Sequence, residues 1–112
     1  MKILLVVNDP PYGSERVYNA LRLAHALVKK DSASQITIFL MADAVLAAKV
    51  QQKTPDGYYN VERMLKRVLG SKGTVFLCGT CMDARGIGEG GHYRQSAADR
   101  RAAVAPHGEI AR

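Results

Sequence analysis

Short apolar runs and amphipathic stretches alternate along the first 78 residues, and this pattern predicts strands that alternate with helices. Three runs rich in β-branched and apolar residues predict strands at 2–7, 35–41 and 73–78. Apolar residues spaced three and four apart predict amphipathic helices at 15–30 and 61–69, with a shorter helix at 44–50 between them. This order is typical of a parallel sheet in which helices form right-handed crossovers.

Residues at the ends of these stretches predict where the elements begin and end. Three side chains of the type that caps helix N-termini precede the helices: Ser14, Asp43 and Asn60. Gly70 stands where a glycine often follows a helix, and Pro55-Asp56-Gly57 predicts a turn. The run at 2–7 has no polar residue after Lys2, so we expect this strand to be covered on both faces.

The chain changes character after Arg85, because residues 86–112 are rich in glycine and contain no lysine. We therefore expect one α/β domain over 1–87 and an atypical, mobile tail over 88–112, with a weak helix at 96–104. The Arg, Ala and Gly bias of the tail suggests an out-of-frame or altered end. The sequence shows no fourth strand, and three parallel strands would leave an edge for a second subunit to cover.

Length and composition narrow the class of protein. The chain has 112 residues, of which 47% are hydrophobic and 23% charged, as in an ordinary single globular domain. The net charge is +6, but the basic residues are scattered and there is no tryptophan, so we expect a solvated surface and no nucleic-acid partner. No apolar run is long enough to cross a membrane, and the first is too short for a signal peptide, so we expect a cytoplasmic protein without a membrane partner.

The strongest chemical signal is Cys78-Gly79-Thr80-Cys81, which follows the third predicted strand. Reactive groups gather beyond the carboxyl ends of parallel strands. Backbone N–H groups of the following turn can stabilise a thiolate there, and the thiolate is the nucleophile. Gly79 would let a reacting sulfur approach closely, and Asp83 and Arg85 lie within reach, Arg85 as a cation for the anion.

Three other interpretations of the cysteine pair stay open. Both cysteines can simply be core residues, since free cysteine is among the most buried residue types. A zinc site would need two of His25, His92 and His107, which stand in a helix and in the tail, so we expect no metal. A thioredoxin-like redox motif would follow an early strand and open a long helix, whereas this pair follows the third strand.

A second loop at a strand end supplies further candidate site residues. Asn8, Asp9 and Tyr12 follow the first strand and are candidates to line the same cleft as Cys78. The alternative is that the prolines of this loop stiffen it and that Asp9 or Ser14 only caps a helix. Another loop carries paired tyrosines at 58 and 59, which would either flank the site or lie in a subunit contact.

Four segments together resemble the DsrE/DsrF-like family, from Met1 to about Ile87. They are Asn8-Asp9-Pro10-Pro11-Tyr12-Gly13-Ser14-Glu15, Phe39-Leu40-Met41-Ala42-Asp43-Ala44-Val45, Gln52-Lys53-Thr54-Pro55-Asp56-Gly57-Tyr58-Tyr59-Asn60 and Cys78-Gly79-Thr80-Cys81-Met82-Asp83-Ala84-Arg85-Gly86-Ile87. The resemblance implies a three-layer α/β/α sandwich with a mainly parallel sheet. It also implies a homo-oligomer, such as a trimer or hexamer, and no cofactor. Residues 88–112 match nothing in this pattern.

The resemblance also implies a function. In the sulfur-relay branch of the family, DsrEFH and TusBCD, a cysteine at the end of a central strand carries sulfur as a persulfide, and Cys78 holds the matching position. Such a carrier would work between sulfur donor and acceptor proteins. Cys81 belongs to the Cys-Gly-Thr-Cys variant of a less characterised branch, which assigns it no role. From its spacing alone we expect Cys81 to resolve the persulfide to a disulfide and release sulfide. The alternative function is a non-catalytic oligomeric binding or regulatory module with a structural cysteine pair.

Overall fold

The computed structural model describes residues 1–87 and a short strand at 102–104, and its elements alternate as the sequence predicts. In chain order they are β1 (Lys2–Val7), α1 (Arg16–Lys30), β2 (Gln35–Leu40), a 3₁₀ helix (Ala42–Ala48), α2 (Val61–Gly70), β3 (Thr74–Leu77), α3 (Gly79–Ala84) and β4 (Ala102–Val104). None of the described helices is long and apolar enough to span a membrane.

The sheet has four strands in the order β1-β2-β3-β4, and each adjacent pair is parallel. The expectation that no fourth strand exists is wrong, because β4 extends the ladder from Val75 opposite Ala102 to Leu77 opposite Val104. The helix predicted at 96–104 is also wrong at these three positions. Backbone hydrogen bonds define a ladder, so a three-residue Ala-Ala-Val strand can form without the longer apolar run that predicts strands. The remainder of the predicted tail over 88–112 lies outside the described residues.

The core lies on one face of the sheet. Alternate strand residues point into it, and Ile38, Leu40 and Leu77 are each 0% exposed. Helix α1 contacts β1 and β2, α2 contacts β3, and the two helices contact each other, so both cover this same face. The α/β class with a parallel sheet is confirmed. A sequential strand order with right-handed crossovers keeps α1 and α2 on one side.

The opposite face is open at β1, which corrects the expectation that this strand is covered on both sides. Leu4 and Val6 are 61% and 52% exposed, whereas Val7 is buried. Phe39 lies opposite Val6 and is half-buried. A continuous apolar run is typical of a strand covered on both faces, but β1 is an edge strand, and none of the described residues covers its second face. We call the surface formed by Leu4, Val6, Thr37, Phe39, Thr74 and Phe76 the open face.

The helix ends agree with the sequence in part. Asn60 caps α2 as predicted, since its Oδ1 accepts a hydrogen bond from the Arg63 N–H at 3.1 Å. Ser14 is not the residue that precedes α1; Glu15 stands there in a left-handed conformation, although Ser14 Oγ accepts from the Arg16 N–H at 3.4 Å. Asp43 lies inside the 3₁₀ helix and caps nothing. Gly70 is the last residue of α2 and does not follow it.

Candidate cysteine site

Cys78 lies at the junction of β3 and α3, one strand in from the β4 edge. Its backbone N–H donates to the Leu40 carbonyl at 3.0 Å, which continues the ladder with β2 by one residue beyond β3. The same residue is the N-cap of α3, and its Sγ accepts a hydrogen bond from the Cys81 N–H at 3.4 Å. The sequence thus turns from strand to helix at the sulfur atom, as sheets place chemistry at strand carboxyl ends.

A glycine in the left-handed region ends α3. Gly86 has φ 66°, and its N–H donates to the Asp83 carbonyl at 3.0 Å. The Ile87 N–H reaches back to the Met82 carbonyl at 2.9 Å, and both side chains are buried. This pair of hydrogen bonds with its apolar contact is a Schellman motif. It stops the helix after six residues and holds the Cys-x-x-Cys turn in place.

The Cys78 thiol is buried, and the residue is 2% exposed. Burial is the largest cause that raises the pKa of the Cys78 thiol, and a hydrogen bond with the Cys81 side chain raises it further. Backbone N–H groups of Cys81 and Thr80 act in the opposite direction but do not reverse the shift. The N–H groups that the sequence analysis invoked are therefore present, yet desolvation outweighs them.

The Cys81 thiol is partly exposed and contacts a different element. Its Sγ accepts a hydrogen bond from the Ala42 N–H at 3.2 Å, at the first residue of the 3₁₀ helix. Ala42 has φ 51°, a backbone conformation that residues other than glycine adopt only at an energetic cost. Both cysteines are free thiols. Because the Cys81 N–H donates to Cys78 Sγ at 3.4 Å, the two cysteines lie side by side, one of them buried and the other partly exposed.

Arg85 joins the two elements that flank Cys81. Its Nε donates to Asp43 Oδ1 at 2.7 Å, and its Nη1 donates to the Cys81 carbonyl at 2.9 Å. The sequence analysis predicted that Arg85 is a cation beside the thiolate. In the structure its guanidinium binds the Asp43 carboxylate and the Cys81 carbonyl oxygen. Within the Cys-x-x-Cys turn, Gly79 is buried and Thr80 is exposed, and Asp83 is exposed on α3.

The loop after β1 lies apart from the cysteines. Strand β2 lies between β1 and β3. Two strand spacings therefore separate β1 from β3, a distance of about 10 Å. Asp9 pairs with Arg16 at 3.4 Å, and Asn8 and Asp9 border a cavity of about 220 Å³ beside α1. Tyr12 donates to Gln52 Oε1 at 2.6 Å and accepts from the Val61 N–H at 3.0 Å. These contacts tie loops together, and a role of Asn8, Asp9 and Tyr12 in lining the cysteine site stays a prediction.

The paired tyrosines form part of an aromatic cluster within the chain. Tyr59 stacks on Tyr18 with ring centroids 4.2 Å apart, on Tyr58 at 4.5 Å and on Tyr12 at 5.6 Å. The Tyr59 hydroxyl is buried and has no partner with hydrogen-bond geometry among the described residues. The neighbouring Tyr58 side chain is the largest cause that raises the pKa of Tyr59 to about 12, and burial is the next.

His25 has a structural partner on α2. Its Nε2 lies 3.0 Å from the Met64 carbonyl oxygen, and burial lowers the pKa of the imidazole. Among residues 1–87, no cluster of three or more His, Cys, Asp or Glu side chains is arranged to hold a metal ion. His92 and His107, the other histidines weighed for zinc, lie outside the described residues.

Two parts of the site were missed by sequence reasoning. The Ala42 N–H and the Asp43 carboxylate both come from the segment after β2, where the sequence analysis considered Asp43 only as a helix cap and as part of the family pattern. A usable signal was available, because parallel strands place the residues after β2 next to those after β3. The left-handed backbone conformation of Ala42, in contrast, could not be predicted from the sequence.

Comparisons with known proteins identify relatives of this chain. The DsrE/DsrF-like family matches residues 1–102, a range that runs past Ile87, the expected end of the resemblance, to the first residue of β4. Protein YchN of Escherichia coli is 46% identical over 86 residues, which is 77% of this chain and 73% of YchN. An uncharacterized protein of Methanocaldococcus jannaschii is 36% identical over 89 residues, 80% of this chain and 75% of that protein.

A solved structure resembles the fold described above. The crystal structure of the YchN protein from E. coli superposes with a TM-score of 0.80 at 36% sequence identity, and covers 98% of this chain and 88% of that one. The family match spans residues 1–102, which is most of the chain, and YchN is 46% identical over 77% of it. The chain therefore belongs to the DsrE/DsrF-like family.

Proposed function

We propose that this protein is a sulfur carrier in which the Cys78–Cys81 dithiol holds sulfur as a persulfide and passes it to an acceptor. Membership of the DsrE/DsrF-like family supports a sulfur-relay type of protein in general. The observation that carries the finer proposal is the pair of free cysteines held side by side at the carboxyl end of an interior strand, where the Cys81 N–H donates to Cys78 Sγ.

The chemistry needs only the groups at the site and two partners. One thiolate of the pair attacks the outer sulfur of a donor persulfide, a new S–S bond forms, and the donor leaves as its thiolate. A thiol of the acceptor then attacks that outer sulfur, and the carrier leaves as its thiolate. The oxidation state of the transferred sulfur does not change, and the thiol protons exchange with solvent. The donor and acceptor would be proteins that dock over this end of the sheet.

Persulfide formation tests the proposal directly. The full chain is incubated with glutathione persulfide, and its intact mass is measured after removal of the reagent. We expect one added sulfur atom per chain, lost again when a small thiol acceptor is added. The double variant Cys78→Ser/Cys81→Ser is the control and should gain no sulfur. An unmodified wild-type chain under these conditions would overturn the proposal and favour the alternative of a non-catalytic binding or regulatory module.

We also propose that the chain is a homo-oligomer whose copies meet at the open face. Leu4 and Val6 are more than half exposed on an edge strand, and Phe39 and Phe76 beside them are only half-buried. The crossover helices α1 and α2 both lie on the other side, so neither covers this face. Contiguous exposed apolar surface of this kind marks a protein contact. The paired tyrosines, the earlier candidates for a subunit contact, stack within the chain, and a role of the half-exposed Tyr58 in such a contact stays a prediction.

A further inference from the structure

Unequal access to the two thiols gives each a separate place in the sulfur transfer. A donor persulfide must bring its outer sulfur into line with the attacking sulfur. Cys78 is 2% exposed, so a donor the size of a peptide or protein cannot reach it in the folded state. Cys81 is partly exposed on α3, next to the segment Ala42–Asp43.

We infer that sulfur enters on Cys81 and then moves to Cys78, so that the accessible thiol is the intake and the buried thiol is the store. This inference rests on the proposed carrier function and reverses the order that the family position of Cys78 suggests. The Cys81 N–H donates to Cys78 Sγ at 3.4 Å, and this contact supports the internal step because it holds the Cys78 sulfur beside the residue whose thiol would carry the incoming atom.

Both steps balance without an oxidant or a reductant. In the first, the Cys81 thiolate attacks the outer sulfur of the donor, and the donor leaves as a thiolate. In the second, the Cys78 thiolate attacks that same outer sulfur, the S–S bond to Cys81 breaks, and Cys81 leaves as a thiolate. One proton passes from Cys78 to Cys81, and the sulfur keeps its oxidation state.

The local geometry suits both roles. The Ala42 N–H points at the Cys81 sulfur, where negative charge is present before attack and again after the sulfur has moved on. The raised pKa of the Cys78 thiol makes it a poor leaving group, so sulfur bound there is released slowly. Burial also keeps bulk water away from the stored persulfide.

Single-cysteine variants separate the two roles. Wild type, Cys78→Ser and Cys81→Ser are treated with glutathione persulfide, alkylated, digested with trypsin, and sequenced by mass spectrometry across the peptide 73–85, which holds both cysteines. We expect Cys78→Ser to gain sulfur on Cys81 at the wild-type rate. Cys81→Ser should gain it at least about tenfold more slowly, since Cys78 must wait for a local opening. In wild type the sulfur should be found on Cys78.

A denaturant control shows whether access is the cause. In concentrated urea, Cys81→Ser should gain sulfur on Cys78 at the rate of unfolded wild type, because burial is then removed. Equal rates for folded Cys81→Ser and folded wild type would overturn the inference, as would a Cys78–Cys81 disulfide with release of sulfide in wild type. Absence of added sulfur from wild type and both variants would instead overturn the proposed function itself.

Discussion

The two faces of the sheet have similar apolar sequences but different surroundings. On the face covered by α1 and α2, strand residues such as Ile38 and Leu77 are 0% exposed. On the open face, Leu4 is 61% exposed and its neighbour Thr37 is half-buried. Alternation along a strand sends successive side chains to opposite faces. The parity of its position in the strand therefore decides whether an apolar side chain in this sheet is buried in the core or lies on the open face.

The two cysteines of the site also differ in burial. The Cys78 side chain belongs to the buried cluster that α1 and α2 cover. Cys81, three residues later, is partly exposed and only packs against that cluster. The contrast teaches that a Cys-x-x-Cys spacing on a short helix does not make the two thiols equivalent.

The largest expected effect contrasts one leucine from each face. Leu77→Ala should lower the free energy of unfolding by about 2–5 kcal/mol, because it leaves a cavity in the covered core. Leu4→Ala should change the stability of the single chain by no more than about 0.5 kcal/mol. Urea denaturation at low protein concentration measures both. Equal losses would show that the open face is covered within the chain and that the comparison is mistaken.

The next prediction concerns assembly. Leu4→Lys places a charge on the proposed contact and should weaken self-association at least about tenfold, or about 1.4 kcal/mol. Leu23→Lys is the matched control, since Leu23 is 49% exposed on α1, which lies on the other side of the sheet from the open face. Sedimentation of wild type and both variants at micromolar concentration measures the effect. A monomeric wild type, or a larger effect at Leu23, would remove the open face as the contact.

The sequence predicts the elements well where local patterns decide them. β1 to β3, α1 and α2 all have bounds within a few residues of the prediction, because an amphipathic period or a capping residue such as Asn60 is readable locally. Helix α3 was left as an unspecified turn or helix. It has only six residues, and its end depends on Gly86 in the left-handed region together with the Ile87–Met82 hydrogen bond.

What the sequence could not predict depends on contacts between distant segments. An apolar run such as β1 is the same whether the strand is central or at an edge, so exposure of Leu4 follows only from strand order. The two cysteines lie side by side after β3, with the Cys81 N–H donating to Cys78 Sγ, and their role as site residues stays a prediction. Their unequal burial could not be read from the spacing, because it depends on packing by other elements and on the segment at Ala42.

The smallest expected effect concerns a polar atom buried on the helix-covered side. Tyr59 packs against the core, and its hydroxyl lacks a partner with hydrogen-bond geometry among the described residues. Tyr59→Phe removes only this oxygen and keeps the stacked ring. At neutral pH we expect a change between zero and about 1 kcal/mol of added stability, because no partner is left unsatisfied.

The effect of Tyr59→Phe should grow at alkaline pH with a definite sign. The folded-state pKa of about 12 exceeds the ordinary value of 10.0, so the folded chain holds this proton more tightly than the unfolded chain. The corresponding stability is fully present below pH 10.0 and is lost as the pH rises to about 12. Wild type should therefore lose more stability than Tyr59→Phe over this interval, as measured by urea denaturation at each pH. Cys78, whose raised pKa acts in the same direction, is unchanged in both proteins and cancels in the difference. Parallel curves for the two proteins would mean that the Tyr59 hydroxyl is solvated in the folded state, and that this part of the covered side is open to water.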